Sequence, residues 1–188
     1  MKKRFRQLLI ITIVAVSSLL SEGISAQSFM AEDGYVEFIS TAPLLEFKGE
    51  SENLTGLIDL DQNLIDFYID LNTLKTGIER RDRDMRNSYL ETDKFPFAEF
   101  TGELTSDFDP TLFETQQASV SGTFKIHGVE RDIEVEGTLT PNENSISLEA
   151  SWVVLLEDYN IDRPGVLFYQ LAEEQTVNIS IQLNKTDN

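Results

Sequence analysis

One pattern constrains this chain more than any other: short runs in which apolar and polar side chains alternate. Leu64 to Leu71 sets Ile65, Phe67, Ile69 and Leu71 against Asp66, Tyr68 and Asp70. Phe97 to Leu104 does the same with Ala98, Phe100, Gly102 and Leu104, and Ser119 to Ile126 with Val120, Gly122, Phe124 and Ile126. Asp132 to Leu139, Ser145 to Val154 and Thr176 to Leu183 repeat it. An earlier run, Tyr35 to Thr41, sets Val36, Phe38 and Ser40 against Tyr35, Glu37 and Ile39, and Pro43 breaks it. Leu45 to Leu54 and Leu54 to Ile58 add further extended segments. Successive side chains of a strand point to opposite faces, so such a run is a strand with one dry and one wet face.

Strands of this kind belong in an antiparallel sheet solvated on one side. With roughly eight strands and no sequence left for a second layer, closing the sheet on itself is the simplest way to remove its edges. The expected fold is all-β with one short helix, an antiparallel eight-stranded β-barrel. Such a barrel is just wide enough to be filled by side chains or to hold one small ligand. Small residues interrupt the inward faces at Ala98, Gly102, Gly122, Gly137 and Ala150. They either leave space for a ligand or mark curvature and close strand packing, and the pattern leaves both readings open. If they leave space, a bulky residue at Gly122 or Ala150 shortens the bound chain without unfolding the protein.

One stretch does not alternate. Between Thr76 and Leu90 lie Arg80, Arg81, Arg83 and Arg86, four of the chain's fifteen basic residues within seven positions. Ile78, Met85, Tyr89 and Leu90 suit one stripe of a helix, and Pro96 disfavours helix in the residue before it. One helix is therefore expected over 78–90, inserted between two strands. Its arginines suit a pyrophosphate or other polar head group, because guanidinium forks match such anions. The interleaved Glu79, Asp82 and Asp84 suit instead a set of pairs that fixes the helix to the barrel rim, with Arg81 and Asp82 as one structural pair. Asp59-Leu60-Asp61-Gln62-Asn63 begins like a calcium loop, but Leu64 replaces the glycine and Asp70 the glutamate that such a loop needs. A hairpin turn is expected there.

Composition closes off several functions. Cysteine is absent and histidine occurs once, at position 127. Disulfides, thiolate chemistry and a multi-histidine metal site within one chain are thereby excluded. His127, before Gly128 at a strand end, is expected to cap a turn or lie on the surface. The formal charge of −18 repels phosphate backbones, so no nucleic-acid partner is expected.

The first residues form a targeting segment. Lys2, Lys3, Arg4 and Arg6 precede an apolar run from Leu8 to Leu20, and small and polar residues follow. This is the layout of a secretory signal peptide, cleaved after Ala26 or, as a rival, after Ser25. An uncleaved anchor is the competing reading, although the run is short for a membrane span. Cleavage removes four basic residues and one acid and takes the formal charge from −18 to −21. Residues 1–26 are thus read as the signal peptide and 27–188 as one exported domain with no stable membrane insertion. Nothing in the sequence speaks directly to oligomeric state, and a homodimer is left open.

Three motifs carry a resemblance. The run with Thr76-Gly77, Arg81-Asp82, Met85-Arg86, Tyr89-Leu90 and Lys94-Phe95-Pro96 resembles the YceI-like family. Gly122-Thr123-Phe124-Lys125-Ile126-His127-Gly128-Val129 resembles the family's strand and turn before its next hairpin. Leu156-Glu157-Asp158-Tyr159-Asn160-Ile161 resembles its Asp-aromatic-Gly/Asn-Ile segment. The resemblance spans about residues 33–184. It implies a lipocalin-like β-barrel whose apolar tunnel holds a long amphiphile: a polyisoprenoid, an isoprenoid quinone or a fatty-acid derivative. It also favours a Gram-negative source, in which the exported protein is periplasmic; the expected location is periplasmic or secreted. The chain departs from the family in two places. The segment after the first strand often carries a histidine in the family and carries none here, so any ligand contact the family makes through it is not expected. The family helix often reads Arg-Asp-x-His, and Asp84 stands here in the fourth position, which disfavours an anionic head group locally.

On this reading the barrel interior that meets the ligand is Phe38, Phe67, Ile69, Phe100 and Leu104, with Phe124, Val135, Leu148, Trp152 and Ile179. The rim is Arg81, Asp84, Arg86 and Tyr159. No catalytic residue, metal or cofactor is expected beyond a bound isoprenoid or other lipid. The leading expectation is an exported, non-enzymatic lipid-binding protein that acts in transport or storage. The alternative is a ligand-free, filled barrel serving as an envelope stress or protein-interaction module. An enzyme using the barrel mouth comes third.

Overall fold

The computed structural model describes residues 27–163 and 171–186, so the expected signal peptide lies outside the described residues. Eight strands run in order: β1 (Ser28–Ala42), β2 (Leu45–Asp59), β3 (Leu64–Asp70), β4 (Phe97–Leu104), β5 (Gln116–Ile126), β6 (Val129–Pro141), β7 (Ser145–Leu155) and β8 (Glu174–Lys185). Each pairs antiparallel with the next, and β8 returns to β1 to close the barrel. This is the expected antiparallel eight-stranded barrel. The first two strands are longer than alternation suggests. β1 carries register shifts between Ala31 and Val36, which break the period of two where the strand begins. Leu45 to Asp59 is a single strand rather than two segments.

The insertion between β3 and β4 holds a short 3₁₀ turn at Leu71–Thr73 and then the helix α1 (Glu79–Asp84). From Met85 to Tyr89 the helix widens into a π turn, in which the Leu90 amide donates to the Met85 carbonyl at 2.9 Å. The expected helix over 78–90 is therefore present, but its hydrogen bonding changes midway. The extra residue in the turn lets Met85 and Leu90 both bury their side chains.

The two ends of the barrel are built differently. Both described chain ends and the β2–β3, β4–β5 and β6–β7 connections lie at one end. There Ile146 and Leu183 are 0 % exposed, and Ile58 and Leu139 are 1 % exposed. Each such side chain contributes about 1.5–3 kcal/mol by burial. At the β2–β3 turn the Asp59 carboxylate accepts from the backbone of Asp61 and Gln62, and Asn63 takes a φ of 50°. This is the hairpin turn expected there. The opposite end carries the β1–β2 turn, the helix, the His127-Gly128 turn and the 3₁₀ turn at Leu156–Tyr159.

Glycine on the walls serves close strand packing. Gly102 and Gly122 face each other across β4 and β5. A Cβ on Gly122 would stand 2.5 Å from the Thr101 carbonyl and 2.6 Å from the Gly102 Cα. A bulky residue at Gly122 would therefore push two strands apart, and the expectation that it merely shortens a ligand is corrected. The barrel exterior is polar: Lys125 pairs with Glu99 at 3.0 Å, and Thr123 donates to Asp132. Lipid-facing barrels show the reverse pattern. Among the described residues no helix is long and apolar enough to cross a membrane.

Candidate functional site: the barrel cavity and its mouth

The inward faces do not fill the barrel. Phe100, Val135, Trp152 and Ile179 point inward and line an open space, and each remains only half-buried. That space is a cavity of about 600 Å³ whose lining reaches the helix at one end. Its size lies within the range of small-molecule sites. Ala98 and Ala150 line it, whereas Gly102, Gly122 and Gly137 do not.

Nine of the ten interior residues named from the sequence lie on this wall: Phe38, Phe67, Ile69, Phe100, Phe124, Val135, Leu148, Trp152 and Ile179. Leu104 does not. It ends β4 on the closed side, its backbone amide and carbonyl are both bonded to Asn63, and its side chain packs against the core. The aromatic walls are braced. Trp152 meets Phe124 edge-on at 5.9 Å, and Phe124 meets Tyr159 at 5.5 Å.

The four rim residues divide evenly. Arg81 and Asp84 line the mouth. Arg86 does not: it follows the inward Met85 and is turned about 100° from it around the helix axis. Tyr159 is buried behind Phe124 rather than exposed at the rim, and burial raises its phenol above the usual range. Arg81 does not pair with Asp82. Its guanidinium lies 4.1 Å from the Phe47 ring, where a cation is attracted to the π face. Asp82 is 9 % exposed and accepts from the Thr76 amide at 2.7 Å and the Thr76 hydroxyl at 2.6 Å. Gly77, between them in sequence, takes a φ of 76°, which a side chain would disfavour. One pair within the helix is present, Arg80 with Asp84 at 3.8 Å, and it is too exposed to stabilise much.

His127 ties the mouth together. Its Nδ1 lies 3.0 Å from the Tyr159 carbonyl and its Nε2 lies 3.1 Å from the Glu91 carboxylate. Phe95 packs edge-on against its ring at 4.8 Å. The residue is in a turn, as expected, but its side chain is 10 % exposed and joins three segments. Hydrogen bonds from Lys94 first, and then from His127, hold the Glu91 carboxyl below its usual range.

Sequence reasoning missed several lining residues. Phe47, Leu74 and Ile78 reach the cavity from segments with no clean alternation. Gln175 lines it too, 5 % exposed. Its signal was present: it stands two before Val177 on the inward register of β8, where a polar residue is out of place.

These features define a closed antiparallel barrel with one apolar cavity and a braced mouth at one end. The chain belongs to the YceI-like domain family, whose family model matches residues 29–184. No functionally curated protein matches it in sequence. Among solved structures it is similar to a polyisoprenoid-binding domain from Saccharophagus degradans implicated in plant cell wall breakdown. That likeness has 20 % identity and a TM-score of 0.73, covering 86 % of this chain and 99 % of the other. It is also similar to BcnA of Burkholderia cenocepacia, with 13 % identity, a TM-score of 0.68 and coverage of 81 % and 96 %. A YceI protein of Campylobacter jejuni matches at 18 % identity with a TM-score of 0.62, covering 74 % and 85 %. At these identities the likeness is one of fold.

Proposed function

We propose that this protein is an exported, non-enzymatic carrier. It holds one long apolar amphiphile in its barrel for transport or storage: a polyisoprenoid, an isoprenoid quinone or a fatty-acid derivative. The observation that carries the proposal is the apolar cavity of about 600 Å³ that opens beside the helix. The polyisoprenoid-binding domain among its structural neighbours supports the ligand class. The driving force is burial, at about 0.8 kcal/mol per CH₂, so specificity rests on cavity length and a few polar groups. The one histidine has both ring nitrogens engaged, which counts against acid–base catalysis. The half-buried inward residues count against a filled barrel. The signal-peptide layout of the first 26 residues supports a periplasmic or secreted location, and the polar exterior fits a domain that does not insert in the bilayer.

Native mass spectrometry of the mature protein, purified without detergent from its own cell envelope, tests this reading. A mass excess released on denaturation as an isoprenoid or fatty amphiphile is expected. A bare mass, with no uptake of added quinone or polyprenol, would overturn it.

A further inference from the structure

Two segments that flank the cavity mouth carry exposed apolar side chains. In the β1–β2 turn Leu44 is 74 % exposed, and at the start of the helix Ile78 is 50 % exposed. Leu45 and Phe47 beyond the turn line the cavity, and so do Ile78 and Arg81. The two segments are fastened to each other. Glu50 of β2 and Lys75 exchange backbone hydrogen bonds at 2.9 and 3.0 Å, and the Arg81 guanidinium lies on the Phe47 ring. Large aliphatic side chains held in water at the edge of an apolar opening mark a contact surface.

Charge at these segments runs against the rest of the chain. From Lys75 to Arg86 there are five basic and three acidic residues, in a chain of formal charge −18. Asp82 is turned inward to Thr76, and Asp84 lies beside Arg80. Glu79, and Glu46 beyond the turn, are the other acids of the two segments. The Arg80 side chain is 85 % exposed, and Arg83 is exposed as well. Much of the acidic surface is remote. Glu136 stands opposite Ser119, seven residues from the mouth end of β5 at Ile126. That is about 20 Å at about 3.3 Å per residue, beyond the Debye length of about 8 Å at physiological ionic strength.

We propose that this opening is a docking face for an anionic phospholipid surface. Leu44 and Ile78 enter the head-group boundary, and Arg80 and Arg83 take lipid phosphates, which guanidinium forks suit. The contact is peripheral. It sets the cavity mouth against the bilayer, so that an apolar chain passes between membrane and barrel without crossing water. Charge fixes the orientation, because the other faces present carboxylates to the anionic lipid. The proposal goes beyond the carrier reading: it stands on the surface around the opening and not on what fills the cavity.

The chain has no cysteine, so Leu44→Cys takes a polarity-sensitive dye at one place. Leu112→Cys, an exposed leucine in the β4–β5 connection at the closed end, is the comparison. The labelled mature proteins are mixed with vesicles of phosphatidylcholine, with or without phosphatidylglycerol. The dye at position 44 is expected to shift to the blue on the phosphatidylglycerol vesicles alone, and the dye at position 112 to stay unchanged. Arg83→Glu and Leu44→Ser should each weaken vesicle binding about tenfold. Neither residue lines the cavity, so uptake of a dispersed polyprenol should not change. Should Arg83→Glu fail to fold, loss of binding at about 1 M salt, where the Debye length is about 3 Å, reads the same charge.

Equal binding to both vesicles, a shift at position 112, or binding that ignores Arg83→Glu and salt would overturn the docking face. So would self-association that Leu44→Ser abolishes in a protein that binds no vesicle, which would assign the surface to a second copy of the chain. A protein that carries lipid from its cell envelope yet binds no vesicle would overturn the docking face and leave the carrier reading standing. One that docks as described yet never takes up lipid would support the docking face and overturn the carrier reading.

Discussion

The two ends of the barrel use the same sheet for opposite purposes. At the closed end Ile58, Leu139, Ile146 and Leu183 belong to one core cluster and are almost wholly buried. At the helix end the same alternation continues, but Phe100, Val135, Trp152 and Ile179 face a cavity. The closed end is held by apolar packing. The mouth is held by polar ties at single points: Thr76 to Asp82, and His127 to both Glu91 and Tyr159. The comparison teaches where stability and binding reside. Side chains that touch one another hold the barrel closed, and side chains that touch space are left for a ligand.

The largest test of that division is a pair of truncations. Leu183→Ala removes atoms from a fully packed site and is expected to cost about 2–5 kcal/mol. Ile179→Ala, four residues back along the same strand, enlarges an existing space and is expected to cost about 1 kcal/mol. Chemical denaturation of both variants measures the difference, and equal losses would erase the distinction between the ends. Filling works in the other direction. Ala150→Phe should reduce uptake of a polyprenol about tenfold while the barrel stays folded, because Ala150 lines the cavity. Gly122→Val should unfold it, because its Cβ meets backbone at 2.5 Å. Native mass spectrometry with a thermal melt separates the two outcomes, and a folded, lipid-binding Gly122→Val protein would refute the close-packing account.

The closed end was far more legible in the sequence than the mouth. The inward register of β3, β4 and β7 shows as strict alternation, and Phe97–Leu104 emerges with the bounds expected. Register reports which face a residue is on, however, and not how far along the barrel the packing stops. Leu104 and Phe100 share a face, and only Phe100 reaches the cavity. The mouth is made by segments without a period of two. Arg86 adjoins the inward Met85 and so lies off the mouth, which its place in the arginine cluster does not reveal. Gln175 is inward but polar, so the alternation of apolar residues does not mark it. Asp82 was paired with the neighbouring arginine, whereas its partner, Thr76, lies across a glycine turn.

The polar ties at the mouth make smaller predictions. His127→Ala leaves the buried Tyr159 carbonyl without its donor and is expected to cost about 1–3 kcal/mol. Hydrogen exchange should then quicken in residues 91–96 and 156–161 and stay unchanged at Ile146 and Leu183. Quickened exchange at the closed end would show that the two ends are not independent.

The smallest effect is a matter of pH. Glu91 is held below the usual carboxylate range by Lys94 and then His127. A carboxyl with a depressed folded-state value adds stability above its ordinary range, and that stability is lost as pH falls through the folded-state value. Glu91→Gln should therefore melt below the unaltered protein at neutral pH, and the gap should close as pH falls from about 7 to about 3. The group is substantially solvated, so the gap is expected to be small. A gap that stays constant through the acid range would mean that Glu91 acts at the mouth by its shape and not by its charge.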